Sequence, residues 1–290
     1  MFDHLDEFKN ELLRQEKSLH TVRAYVSDVT EFIKWFTDML GTEYSPDKIT
    51  SVDIQEFRSY LHNIRQNKPT SVNRKLTALE QYCSVLESMG IIKNNPAIGV
   101  KKMRYQKQSQ VEALDNKDLY KLKRMFYMGA NKRDIAIFEL MINTGLREAE
   151  VCNLQLSDVI VSDRKGTVIV RSGKGEKYRE VPLNIDTRKA ITAYLEVRPD
   201  RGNYLFVSNK SDRLSESQLY RIIRKYADMA DVNVYPHKLR HTFATKLLRD
   251  GGVDLVTVKE LLGHTSINTT AIYTKANKQD MEKAVEKLET

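Results

Sequence analysis

Apolar residues recur at helical spacing through the first hundred positions. Leu5, Phe8 and Leu12 form one stripe; Val22, Val26, Val29, Ile33 and Phe36 form a second, opened by Ser18 as an N-cap and followed by Gly41. After a turn at Ser45-Pro46-Asp47, the run Thr50-Ser51-Val52-Asp53 reads as the capped start of a third helix bearing Ile54, Phe57 and Leu61. Pro69-Thr70-Ser71 opens a fourth, with Val72, Leu76, Leu79, Tyr82 and Cys83 on one face and an end near Gly90. Residues 1–100 are therefore expected to form a small four-helix domain.

Asn94-Asn95-Pro96 breaks the pattern, and Lys101 to Gln110 is polar, basic and without periodicity. That stretch reads as an interdomain linker over 101–111, with a second domain over 112–290. Leu114-Asp115-Asn116-Lys117 caps a helix, and Ile135 to Asn143 is a strongly apolar helical run stopped by Thr144-Gly145. Val168 to Val170 and Arg179 to Leu183 are strand-like and flank Ser172-Gly173-Lys174-Gly175, which predicts a β-hairpin. From Ser215 onward helical patterns return. The fold class expected is mainly α with a small β-sheet.

Composition narrows what such a chain does. With 41% hydrophobic and 30% charged residues over 290 positions, it has enough apolar material for two cores and lacks the signature of disorder. No stretch approaches the roughly 20 apolar residues of a membrane span, and the acidic start Met1-Phe2-Asp3-His4 is unlike a secretory signal. Cys83 and Cys152 are too few for a disulfide framework, which fits a reducing cytoplasm. The formal charge is +8, yet residues 1–100 hold 12 Lys+Arg against 14 Asp+Glu, so the surplus belongs to the remainder. A basic domain of that size fits a polyanionic partner, nucleic acid foremost, although charge alone goes no further.

The residues that carry chemistry cluster late. His237, Arg240 and His241 sit at i, i+3 and i+4, so one helix face can present an imidazole with a guanidinium. Leu262-Gly263-His264 and Tyr273 follow. Singly, each has an ordinary reading: a surface pair, a glycine C-cap, a core aromatic. Their order, with Thr144-Gly145-Leu146-Arg147-Glu148 upstream and Lys174 between glycines, resembles the tyrosine recombinase (phage integrase) family, and within it the Xer-like recombinases. Ser18, Thr21, Tyr25, Asp28 and Phe32 match the opening of that family's core-binding domain, and Arg74, Gly90, Asn95 and Pro96 match its end. The resemblance implies an N-terminal four-helix core-binding (SAM-like) domain and a mixed α/β catalytic domain.

It also implies a set of roles. A phosphodiester attacked by an oxygen nucleophile develops charge on its non-bridging oxygens, which fixed guanidinium groups stabilise bidentately. Arg147 and Arg240 take that role by resemblance, and the acid matching Glu150 supports them; the ordinary alternative for Arg147 is a salt bridge to Glu148 or Glu150. Tyr273 becomes the nucleophile of a 3′-phosphotyrosyl intermediate, with His237 as base or proton relay. Lys174 would protonate the departing 5′-oxygen, Lys177 being its neighbouring competitor, and His264 would donate a hydrogen bond to the phosphate. His241 reads as a packing residue.

Exchange of a phosphodiester for a phosphotyrosine needs neither ATP nor metal, and no cofactor is expected; the chain has no Gly-x-x-x-x-Gly-Lys-Ser/Thr loop. The expected partners are duplex DNA bearing a specific recombination site and further copies of the chain, a tetramer in synapsis, with a second recombinase or accessory proteins left open. Met281, Val285 and Leu288 give the last nine-residue segment, Asp280 to Leu288, an apolar stripe. By resemblance it packs on a neighbouring protomer; docking on its own domain is the alternative. Arg74, Arg221 and Arg224 are candidates for base contacts, with a plain surface-charge role as the other reading. A DNA-binding protein that has lost catalysis and a type IB topoisomerase-like relaxing enzyme are the competing functions.

Overall fold

The structure, a computed structural model, describes residues 4–41, 43–104, 113–171, 178–263 and Thr270. The chain divides into two compact units, Met1–Gln108 and Ser109–Thr290. Among the described residues no helix is long and apolar enough to cross a membrane.

Four helices build the first unit: α1 (Leu5–Arg14), α2 (Leu19–Leu40), α3 (Ser51–Ser59) and α4 (Pro69–Ser88). Each expected signal does its local work. The Ser18 hydroxyl accepts the Thr21 N–H at the start of α2, and Gly41 closes that helix in the left-handed conformation. Thr50 and Asp53 form a reciprocal capping box on α3, which relaxes into a π turn over Tyr60–Ile64. Such caps contribute about 1 kcal/mol each. The stripes meet in one core rich in aromatics, where Phe57 packs on Phe32 and Trp35 at centroid distances of 5.2 and 5.1 Å. Asp28 is buried there, paired with Arg74 and with Lys75 Nζ at 2.9 Å, and Lys75 also reaches Glu31 at 2.7 Å.

The chain beyond α4 stays on this unit. Asn95 donates to Glu80 O and Ser84 Oγ, and Asn73 exchanges two hydrogen bonds with the Met103 backbone at 2.9 and 2.7 Å. Arg58 also holds Lys101 O. The described part of the basic stretch, Lys101 to Arg104, is thus pinned to α3 and α4.

The second unit opens with α5 (Asn116–Gly129), capped by Asp115, and α6 (Lys132–Thr144), the buried central helix. Then come α7 (Glu148–Asn153), a three-stranded antiparallel sheet of β1 (Val159–Val161), β2 (Gly166–Arg171) and β3 (Tyr178–Pro182), and α8 (Ile185–Leu195). The helices α9 (Glu216–Met229), α10 (Pro236–Arg249) and α11 (Leu255–Leu262) follow. The hairpin expected from the sequence is β2–β3, in register from Thr167 opposite Pro182 to Arg171 opposite Tyr178. Three elements go beyond that expectation. β1 is only Val159-Ile160-Val161, too short to show alternation. α7 is a six-residue helix, and α8 carries its buried face on Thr187, Ala190, Ile191 and Tyr194 in place of a run of large aliphatics.

Candidate active site

The site is assembled around a chain reversal. α6 ends at Gly145, whose φ is +63°, and a Cβ there would lie 2.4 Å from Phe243 Cδ1 and 3.0 Å from Leu262 Cδ2. Only glycine allows the α6 terminus to turn this close to α10 and α11. The reversal buries Leu146 and presents Arg147 as the N-cap residue of α7.

Arg147 is exposed but not loose. Its backbone N–H donates to Glu150 Oε2 at 2.7 Å and its Nη1 to Glu150 Oε1 at 2.8 Å. A carboxylate at the third position of a helix is favoured there by the unpaired N–H groups and the helix dipole. Glu150 is also gripped by Arg179 from β3, Nη1 to Oε1 at 3.0 Å and Nη2 to Oε2 at 2.8 Å. Burial would raise the Glu150 pKa, but the Arg179 hydrogen bonds and charge, then those of Arg147, hold it below the ordinary carboxylate value. Glu150 therefore stays ionised.

Arg240 approaches from α10 and is buried at 2% exposure. Its Nη1 donates to Gly145 O at 2.6 Å and its Nη2 to Leu262 O at 2.8 Å, and Nη1 stands 3.9 Å from Glu150 Oε2. Arg179 Nε donates to the adjacent carbonyl, Leu261 O, at 2.8 Å. Two guanidinium groups thus bind carbonyls of the last turn of α11, the end of a helix that favours cations.

Arg147, Arg240 and His237 line one cleft of about 260 Å³, with Leu146, Pro236, Glu148 and Glu216 also on its wall. Partial burial, followed by the positive charges of Arg240 and Arg147, lowers the His237 pKa below its ordinary 6.5, so the imidazole is neutral near pH 7. Burial, with the charge of Glu216, pushes the Glu148 carboxyl up. His241 is buried and is not among the residues lining the cleft, with Nδ1 3.1 Å from Thr245 Oγ1, as its reading as a packing residue expects.

Chemically, the cleft offers guanidinium donors for an oxyanion and a neutral imidazole able to take a proton. The sequence-predicted residues Arg147, Glu150, His237 and Arg240 are brought together here. Lys174, with its competitor Lys177, and His264 and Tyr273 lie outside the described residues, as does the segment Asp280 to Leu288. Arg74, Arg221 and Arg224 belong elsewhere. Arg74 pairs with Asp28, Arg221 donates to Ser217 O of its own helix, and Arg224 is held by Asp228, Asn233 and Val234 O. Arg179 was not anticipated from the sequence. Its one signal is a basic side chain on an inward-facing register of a strand, opposite Val170, where an apolar residue would be ordinary.

Comparison with known proteins agrees with this geometry. The model of the Phage integrase family matches residues 111–280, and that of the Phage integrase N-terminal SAM-like domain matches residues 5–90. Tyrosine recombinase XerC of Thermodesulfovibrio yellowstonii is 36% identical over 93% of this chain and 91% of its own length. Tyrosine recombinase XerA of Thermococcus kodakarensis is 34% identical over 98% and 94%. Among solved structures, the XerH site-specific recombinase in a post-cleavage complex with palindromic difH substrate aligns with a TM-score of 0.77 at 25% identity, covering 95% of this chain and 82% of that one. A carboxylate bonded to the arginine of the Thr-Gly-Leu-Arg motif and 3.9 Å from that of the His-x-x-Arg motif, two matching domain models and relatives aligned over more than nine-tenths of both chains together mean that the chain belongs to the phage integrase family, the tyrosine recombinases.

Proposed function

We propose that this tyrosine recombinase is a site-specific enzyme that cuts and rejoins duplex DNA through a 3′-phosphotyrosyl intermediate on Tyr273. The observation that carries the reading is the cleft itself: Arg147 and Arg240 border one small space, with Glu150 setting the first and a neutral His237 beside both. In this reading the two guanidinium groups grip the non-bridging oxygens of the scissile phosphate as charge develops on them. A phenol with an ordinary pKa of about 10 needs its proton removed as it attacks, and His237 accepts or relays it. Lys174 gives a proton to the departing 5′-oxygen, and His264 donates a hydrogen bond to the phosphate. Each half-reaction exchanges one phosphate ester for another, so no external energy source is required.

Residues 1–100 act as the core-binding domain and residues 112–290 as the catalytic domain, on a duplex with a specific site. Phosphate contacts dominate affinity, so binding weakens steeply with salt. Of the three arginines considered for base contacts, Arg221 is the strongest candidate, because Arg74 and Arg224 are engaged by carboxylates. The apolar stripe of Asp280 to Leu288 docks on a neighbouring protomer in the synaptic tetramer; a truncation that left synapsis and cleavage unchanged would remove that assignment.

The test is incubation with nicked suicide duplexes carrying the site, in EDTA. The unaltered protein should form a covalent adduct at the 3′ phosphate and the Tyr273→Phe variant none. Absence of an adduct from the unaltered protein rejects the reading, and an adduct followed by relaxation without pairing of two sites favours a topoisomerase-like enzyme.

A further inference from the structure

Arg179 joins parts of the site that come from three separate stretches of chain. Its two Nη atoms bind both oxygens of Glu150, and its Nε binds Leu261 O. The same carboxylate orients Arg147, and the next carbonyl along, Leu262 O, is held by Arg240. The Arg179 side chain is 15% exposed. Gly263 passes so near that a Cβ on it would stand 2.6 Å from Arg179 Nη1, and its φ is +63°. The contact is therefore close-packed on the α11 side as well as bidentate on the carboxylate side.

A planar fork binds both oxygens of a carboxylate through its two Nη groups and a carbonyl through Nε in one fixed geometry, which the single rotatable nitrogen of an ammonium group does not reproduce. Arg179 does not line the cleft, so it is unsuited to hold the phosphate itself. What it fixes is the distance between the α7 start, which carries Arg147, and the α11 end, which is bonded to Arg240.

We propose that Arg179 is a positioning residue for DNA cleavage: it locks the Glu150–Arg147 pair to the C-terminus of α11 and so sets the spacing of the two guanidinium groups that grip the phosphate. The proposal rests on the recombinase reading above. Without this lock both arginines remain, but the clamp loses its preorganisation, and a misplacement of about 1 Å costs about 100-fold in rate.

The experiment measures single-turnover adduct formation on the nicked suicide duplex, binding of the same duplex, and the thermal midpoint of each protein. Arg179→Gln should form adduct about 100-fold more slowly while its Kd stays within about 3-fold, since the loss falls on the transition state. Arg179→Lys should recover part of that rate. A duplex with a bridging 5′-phosphorothiolate adds a decisive arm, because a thiolate leaves without a proton: it repairs a missing general acid but not a loosened clamp. The Arg179→Gln defect should persist on it. If Arg179→Gln fails to fold, Gly263→Ala, which pushes on the same guanidinium, carries the test with the same expected pattern. Repair by the phosphorothiolate, a loss confined to Kd, or a loss explained by the unfolded fraction overturns the positioning role while leaving the recombinase reading intact. No adduct from the unaltered protein overturns that reading, and the role with it.

Discussion

Asp28 in the first unit and Glu150 in the second are both carboxylates enclosed by cations, yet the two clusters are balanced differently. Asp28 pairs with Arg74 and Lys75, and Lys75 also pairs with Glu31, so two acids meet two bases. Around Glu150, Arg147 and Arg179 form ion pairs and Arg240 stands 3.9 Å away, so three guanidinium groups converge on one carboxylate. A matched set of charges is complete in the folded protein and can only add to, or tax, its stability. Where guanidinium groups outnumber the carboxylate they share, as Arg147, Arg179 and Arg240 do at Glu150 among the described residues, the surplus favours an incoming anion, offset in part by Glu148 and Glu216 on the cleft wall. Net charge does not draw this distinction: it is slightly negative over residues 1–100.

The contrast can be broken most directly at Arg147. Arg147→Gln should slow adduct formation by about 100- to 1,000-fold, the usual cost of one lost oxyanion donor. Because the side chain is nearly half exposed, its thermal midpoint should hardly move. A large fall in the midpoint with normal cleavage would make the Glu150 cluster structural after all.

Asp28→Asn should do the opposite. Removing the buried acid strands part of the charge on Arg74 and Lys75, and breaking such a pair costs about 3 kcal/mol, Glu31 remaining to Lys75. Denaturant unfolding should show that loss, while adduct formation by the folded fraction stays unchanged. Defective cleavage by fully folded Asp28→Asn would erase the distinction between the clusters.

The smallest effect is a titration. In the DNA-free protein, nuclear magnetic resonance should place the His237 pKa below 6.5, and Arg147→Gln should move it upward, since one of its depressing charges is gone. The sign follows from linkage: a lowered pKa means that the neutral imidazole persists to lower pH, so a step needing it keeps its rate on the acid side further than an unperturbed histidine would. A value above 6.5 would mean that the unmatched guanidinium charge is not felt in the cleft.

Local signals in the sequence were enough for much of the fold. Ser18, Thr50 and Asp115 cap where they were expected to, because a cap is made by groups within three residues of each other. The β2–β3 hairpin was legible for the same reason. β1 and α8 were not: three strand residues carry no period, and Thr187, Ala190 and Tyr194 hide a buried helix face that larger aliphatics would have announced. At the site, the link from Glu150 to Arg147 is local and could be anticipated, whereas Arg179 on β3 gave no pattern to read.

By itself, then, the sequence determined the helices and their caps, the hairpin, the two-domain order and, through the spacing of Thr144 to Arg147, His237 to Arg240 and Tyr273, the family. Those features depend on neighbours in the chain or on fixed motif order. Tertiary structure alone decided that Arg179 and Arg240 meet Glu150, with sequence separations of 29 and 90 residues, and that a Cβ on Gly145 or Gly263 would collide with Phe243 or Arg179. Convergence of charge and closeness of packing are properties of distances in space, and only the folded chain sets them.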